Sequence, residues 1–482
     1  MQLEHPVLAR ALQPLAHTET EVPVVDPARG EAFAWVPRVT PEEVAAAIAE
    51  AARAQPAWGR ATWAERAAVL ARLARLMSDA AEDLARLITL EEGKPLAEAR
   101  AEIAYARSFV EYYAGMGGTE IGHVLASPFP DTEVRTELEP LGVTAAITPW
   151  NFPSAMITRK LAPALLGGNA FLLKPAEATP LSALALSALA HEAGLPRGLF
   201  HVLTGGRNDA AAIGGALTSS PVVKKLSFTG STTVGKLLLA QCADTVKRVT
   251  LELGGNAPFL VFDDADLDAA VAGLLVAKFR NTGQSCVAAQ RVYVHASIFD
   301  RFVDALAERV ARLETGPGLD PKNHIGPLID ARAVDKVEGH VEDAREKGAR
   351  VLVGGTRIEG RGSFYAPTLL VDFSKDARLA AEETFGPVLA VRRFSDEAEV
   401  IAEANATRAG LVAYFYSESA RRIARVSRGL EFGMVGVNTG LVSTAVAPFG
   451  GIKESGLGRE GAREGLYDWT RLKYVCARYQ EP

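Results

Sequence analysis

The stretch Val143-Thr144-Ala145-Ala146-Ile147-Thr148-Pro149-Trp150-Asn151-Phe152-Pro153, followed by Ala170-Phe171-Leu172-Leu173-Lys174-Pro175-Ala176-Glu177, decides the fold class of this chain. Each part is a short, largely apolar run that ends in a Pro-containing turn, and the helical stretch 155–166 lies between them. Two further strand candidates, 201–204 and 225–229, alternate with helical stretches at 181–193 and 209–217. Strand–helix–strand repetition predicts a parallel, doubly wound sheet, and a near-continuous apolar strand such as 170–173 fits burial on both faces.

On the N-terminal side the sequence reads helical. Thr40-Pro41-Glu42-Glu43 is a capping box with Pro at the first helical position. Amphipathic stretches follow at about 64–90 and 96–113, and Gly115, Gly117 and Gly118 close the block. On the C-terminal side a second αβ block starts near Gly254, with strands at 257–262 and 291–295 and helices near 299–313 and 334–347. Two αβ blocks joined at Gly254-Gly255 imply a ligand cleft between them. The segments 131–139 and 471–479 alternate residue types with period two and read as strands outside the helical block. Together they form either a subunit-pairing ribbon or a plain surface hairpin.

Composition bounds the function. A chain of 482 residues exceeds one compact core and implies two or more domains. Its net charge of -6 argues against nucleic acid or an anionic membrane as partner. No run approaches the ~20 apolar residues that span a bilayer. The start, Met1-Gln2-Leu3-Glu4-His5-Pro6, lacks a secretory pattern. Three cysteines, an odd number, fit a reducing compartment, so the expected location is cytoplasmic. No metal site is expected.

With a disulfide framework excluded, Cys286 in Asn281-Thr282-Gly283-Gln284-Ser285-Cys286 is a candidate nucleophile, although a lone thiol is most often a small buried hydrophobe. Glu252, between Leu251 and Leu253, is a candidate general base, because apolar surroundings raise a carboxyl pKa. Asn151, between Trp150 and Phe152, either donates its amide to an oxyanion or forms an Asx turn before Pro153. Phe228-Thr229-Gly230-Ser231-Thr232-Thr233-Val234-Gly235 follows a strand and opens a helix, so its free amides can face a pyrophosphate, with Gly235 allowing close packing. Its spacing departs from the dinucleotide fingerprint, and alone it is an ordinary βα turn. Lys174-Pro175-Ala176-Glu177 sits at the carboxyl end of a strand, where Glu177 can accept from an adenosine ribose and repel a 2′-phosphate. Together these two turns favour a nicotinamide dinucleotide.

These motifs, with Glu382-Glu383-Thr384-Phe385-Gly386-Pro387 and Pro448-Phe449-Gly450-Gly451, occur in the order found in aldehyde dehydrogenases, and the resemblance covers nearly the whole chain. It implies a Rossmann-like dinucleotide-binding domain of residues 1–121 and 142–253, a catalytic domain of residues 254–445, and an oligomerisation ribbon of residues 122–141 and 468–482. It also implies that Cys286 attacks an aldehyde, that Asn151 and the Cys286 backbone N–H hold the oxyanion, and that Glu252 activates the hydrolytic water. Lys160 is similar to the family's lysine near the cofactor and active site. By the same resemblance Ile147, Trp150, Lys174, Pro175, Ala176, Glu177, Gly230, Ser231, Gly235, Glu383 and Phe385 bind the cofactor, and the chain forms a homodimer or homotetramer.

Several stretches, including 154–160, 278–281 and 437–443, are similar to succinate-semialdehyde dehydrogenases, in which the counterparts of Arg159, Arg280 and Ser443 bind the distal carboxylate. Two guanidinium groups and a hydroxyl make a sound carboxylate clamp, although either arginine alone reads as a structural ion pair. Glu177 points to NAD as the preferred cofactor, with NADP possible. Ala288 stands where some relatives carry a second cysteine, which removes a disulfide switch. The alternatives are glutarate semialdehyde or a broader range of aldehydes, transfer to coenzyme A (disfavoured by Glu252), and a non-enzymatic role.

Overall fold

The computed structural model describes residues 3–12, 21–119 and 121–479. The remaining parts of the expected first domain (1–2, 13–20 and 120) and ribbon (480–482) lie outside the described residues.

Two sheets carry the architecture. The first has six strands in the order Gly456–Leu457, Arg248–Glu252, Val223–Thr229, Val143–Ile147, Ala170–Lys174, Phe200–Val202. Five run parallel, and Gly456–Leu457 joins antiparallel at the edge. The order reverses between Val143–Ile147 and Val223–Thr229, so the carboxyl ends of these two strands flank the crevice in which open α/β sheets bind ligands. Residues 170–174 are all buried, as their apolar run requires. The second sheet has seven strands in the order Arg350–Val353, Thr368–Val371, Val388–Phe394, Ala289–His295, Ala257–Val261, Val412–Tyr416, Met434–Val437, with only the first antiparallel. The molecule is thus α/β with two mixed, mainly parallel sheets, each with its own apolar core.

A third, antiparallel sheet joins Gly122–Leu125, Thr132–Pro140 and Thr470–Arg478, the last two in unbroken register from Thr470↔Pro140 to Arg478↔Thr132. The two alternating segments do pair.

The capping box at Thr40 forms with both arms, Glu43 N–H donating to the Thr40 hydroxyl and Thr40 N–H to the Glu43 carboxylate. The stretch 64–90 divides into Trp63–Asp79 and Ala81–Glu92, because Ala80 leaves the helical region at φ -94°, ψ 10°. The N-terminal block is also less uniformly helical than its composition suggests. Strands Glu21–Asp26 and Glu31–Pro37 form a hairpin whose Val22, Val24 and Val36 are buried. No described helix is long and apolar enough to cross a membrane.

Candidate active site

Cys286 reaches the cleft through a distorted turn. Helix Leu267–Phe279 ends, and Asn281, Thr282 and Gly283 then take left-handed φ values of 55°, 57° and 73°. Such a run is unfavourable for Asn and Thr and persists only where the surroundings hold it. Here they do. Asn281 N–H donates to Glu98 Oε2 at 2.7 Å, its Nδ2 donates to the Asn151 carbonyl at 2.9 Å, and Thr282 Oγ1 donates to the Gly326 carbonyl at 3.2 Å. Two glycines are required sterically. A Cβ on Gly283 would lie 2.2 Å from the Gly386 carbonyl oxygen, and one on Gly255 would lie 2.3 Å from the Cys286 carbonyl oxygen.

The same contacts tie the nucleophile loop to Asn151, which follows the first strand of the six-stranded sheet. Asn151 Nδ2 donates to the Gln284 carbonyl at 2.9 Å, and the buried Lys94 donates to the Asn151 carbonyl at 2.7 Å and to Glu102 at 2.7 Å. An amide nitrogen has two hydrogens, so Asn151 keeps one for another acceptor. The Cys286 backbone N–H donates to nothing among the described residues. Both groups are free to serve an oxyanion.

Glu252 ends strand Arg248–Glu252, and neither carboxyl oxygen has a hydrogen-bond partner. Gly450 closes against it, since a Cβ there would lie 2.9 Å from Oε1. Burial, reinforced by the nearby Glu460 charge, raises the Glu252 pKa well above the carboxylate range against the pull of Arg159 and Lys160. Burial pushes the partly buried Cys286 thiol up to about 12, with Glu383 and Glu252 adding to it and Arg159 and Arg280 opposing. Two neighbouring groups thus hold protons that a nucleophile and a base must surrender.

One cavity of about 310 Å³ is lined by Cys286, Glu252 and Asn151 together with Trp150, Gly230, Ser231, Glu383, Phe385, Arg159, Arg280 and Ser443. Trp150 and Phe385 meet edge to face at 5.6 Å. Glu383 accepts from Gly255 N–H at 3.3 Å, and burial raises its pKa to about 7. Ser231 caps helix Thr232–Ala243, whose amide end faces the same space. Arg280 lies over the Phe152 ring at 5.2 Å.

Ile147, Lys174, Pro175, Ala176, Glu177 and Gly235 do not line that cavity. The first five lie at the ends of the two neighbouring strands, with Lys174 buried and donating to the Pro175 carbonyl at 3.0 Å and Glu177 half-buried. Gly235 serves packing, since a Cβ there would lie 2.4 Å from Leu253 Cδ2. Lys160 also stands behind the cavity wall, bonded to Thr229 Oγ1 at 2.7 Å, Ser227 Oγ at 3.1 Å and Glu460.

The sequence reading did not single out Glu460, Lys94, Tyr105 or Lys336. Glu460 is buried, contacts Arg159 Nε at 2.6 Å and pairs with Lys160. Although burial opposes it, Lys160 and Arg159 hold its carboxyl down to about 2. Arg159, stacked on Phe449 at 4.3 Å, is therefore partly neutralised. An acid between Arg459 and Gly461 carries no local signal of such a role. Among the described residues no cluster of His, Cys, Asp and Glu could hold a metal ion.

Residues 15–475 match the aldehyde dehydrogenase family. The chain is 53% identical to the NADP-dependent succinate-semialdehyde dehydrogenase GabD of Escherichia coli K12, covering 96% of this chain and 95% of that one. It is 54% identical to the glutarate-semialdehyde dehydrogenase of Pseudomonas aeruginosa, covering 94% of each. The crystal structure of succinate-semialdehyde dehydrogenase from Burkholderia pseudomallei superposes with a TM-score of 0.95 at 48% identity, covering 99% of this chain and 100% of that one.

Proposed function

This chain belongs to the aldehyde dehydrogenase family, and on that premise we propose that it oxidises succinate semialdehyde to succinate with NAD or NADP, releasing the free acid. The observation that carries the substrate assignment is that Arg159, Arg280 and Ser443 share one cavity with Cys286. Two guanidinium groups and a hydroxyl suit a carboxylate at the far end of a short aldehyde. Glutarate semialdehyde is the second reading. It is supported by the equally similar Pseudomonas relative, and by the weak discrimination of ~1–3 kcal/mol that one methylene affords.

The residues fit a nicotinamide dinucleotide, which when bound accepts the hydride. The Glu383 carboxylate has one long hydrogen bond among the described residues and keeps acceptor capacity for ribose hydroxyls, next to the Trp150–Phe385 pair. Gly230 and Ser231 offer helix-end amides to a pyrophosphate, while Lys174 and Glu177, flanking Pro175 and Ala176, suit the adenosine ribose. Ile147 ends the strand between these turns, and Gly235 lets the helix pack closely.

The Cys286 sulfur, once deprotonated, adds to the aldehyde carbon. The new oxyanion lies within reach of the free Asn151 amide hydrogen and the unengaged Cys286 N–H. Loss of hydride from that carbon leaves a thioester on Cys286. Glu252, once it has given up its proton, takes one from water as that water attacks the thioester, which frees the acid and restores the sulfur. Lys160 and Glu460 sit behind this wall and steady its charge.

Glu177 supports NAD as the preferred cofactor, and the NADP-dependent relative supports use of NADP as well. Residues 1–121 with 142–253 form the dinucleotide-binding domain and residues 254–445 the catalytic domain. The sheet built on 122–141 and 468–482 pairs subunits into a homodimer or homotetramer in the cytoplasm. Exposed Val124, Leu472 and Tyr474 support that pairing, and a monomer in sedimentation would contradict it.

The test is kcat/KM across ω-carboxy aldehydes of increasing length and their uncharged counterparts, with each cofactor. Succinate semialdehyde should exceed butanal by at least about 100-fold. Parity would remove the clamp, and a higher value with NADP would overturn the cofactor preference.

A further inference from the structure

We infer that Tyr105 is a fourth ligand of the substrate's distal anion, its hydroxyl donating to the carboxylate beside Arg159, Arg280 and Ser443. The inference rests on the reading of this cavity as the site of an aldehyde with a distal carboxylate, and it adds a specificity residue on an element outside both sheets.

Tyr105 projects from helix Leu96–Ala114 and lines the same cavity as Arg159, Arg280 and Ser443. Its ring is fixed edge-on against Phe109, with centroids 4.9 Å apart at 64°. The hydroxyl is buried, yet it has no hydrogen-bond partner. Buried tyrosine hydroxyls normally find one. Tyr113, two turns along the same helix, donates to the Ala462 carbonyl at 3.0 Å, and Tyr414 donates to the Val287 carbonyl at 2.9 Å. Tyr365 also lacks a partner, but it does not line this cavity.

The neighbours of the Tyr105 hydroxyl explain what would satisfy it. Arg159 and Ser443 lie close enough to act on its proton, and the Arg280 charge reaches it too, but no contact meets hydrogen-bond geometry. Arg159 Nη1 is likewise buried without a partner. Arginine can only donate. Burial keeps the phenol protonated, its pKa raised against the pull of both arginines, so at neutral pH it too is a donor. Two orphaned donors and a serine hydroxyl at one end of a cavity call for a group that only accepts. A carboxylate does so, with two oxygens and about four lone-pair sites. An uncharged aldehyde tail would leave the donors unpaired, so the arrangement selects against it as well as for the anion.

Tyr105→Phe keeps the ring and removes only the donor. The measurements are kcat and KM for succinate semialdehyde and for butanal, and inhibition by succinate competing with the aldehyde. In the variant, KM for succinate semialdehyde should rise about 10-fold or more with kcat little changed, and succinate inhibition should weaken by a similar factor. The kcat/KM for butanal should hold or rise, because the variant removes a donor that an uncharged tail leaves unpaired. An unchanged KM and unchanged succinate inhibition, in an enzyme that still prefers succinate semialdehyde, would overturn the role of Tyr105 alone. A parallel loss on butanal would mark a structural role and also overturn it. A wild type with no preference for the carboxylated aldehyde would remove the reading of the site, and this ligand with it.

Discussion

Cys286 and Glu252 both resist ionisation, and each makes it harder for the other, because a charge on Glu252 raises the thiol pKa. The sign of the pH dependence follows. The reactive thiolate is scarce at neutral pH and grows as pH rises towards the thiol pKa near 12. Alkylation of Cys286 by iodoacetamide should therefore be slow at about pH 7 and climb by about tenfold per pH unit beyond about pH 9 without levelling. A plateau near pH 7 would show a thiol already ionised. The sequence singled out Cys286, Glu252 and Asn151 through the ordered motifs that resemble aldehyde dehydrogenases, and the structure brings the three to one cavity. The sequence did not expose Glu460 or Tyr105. Their roles arise from burial beside Arg159, which separate segments of the chain create only on folding.

At the scale of elements, the active geometry depends on two chain segments approaching more closely than any side chain allows. Gly255 follows the last parallel strand of the first sheet, and its missing Cβ leaves room for the Cys286 carbonyl. Gly255→Ala should displace the nucleophile loop and lower kcat by about 100-fold, with the fold intact by circular dichroism. Wild-type turnover in that variant would show that the close approach has no role. The parallel strands themselves were readable, because burial on both faces leaves an apolar run. The N-terminal hairpin was harder. Its alternation in Val22, Val24 and Val36 is short and lies beside strong helical signals.

On the scale of the whole molecule, the sequence showed two αβ blocks and a pair of alternating segments, and the structure joins them as two sheets and a three-stranded ribbon. One feature escaped the linear reading. Gly456–Leu457 returns from beyond the second block to pair with Arg248–Glu252, the strand that carries Glu252. Only two residues long, it has too little pattern to be seen. It joins the sheet next to the segment that sets Gly450 and Glu460 beside the base. The mechanism proposed for this site runs through a covalent thioester on Cys286. The most direct measurement is peptide mass spectrometry of the Glu252→Gln variant, quenched after mixing with NAD and succinate semialdehyde. A succinyl group on the peptide containing Cys286, formed with a burst of NADH and slow further turnover, is the expected result. Undiminished steady turnover, or NADH formed with no acyl group on that peptide, would contradict the account.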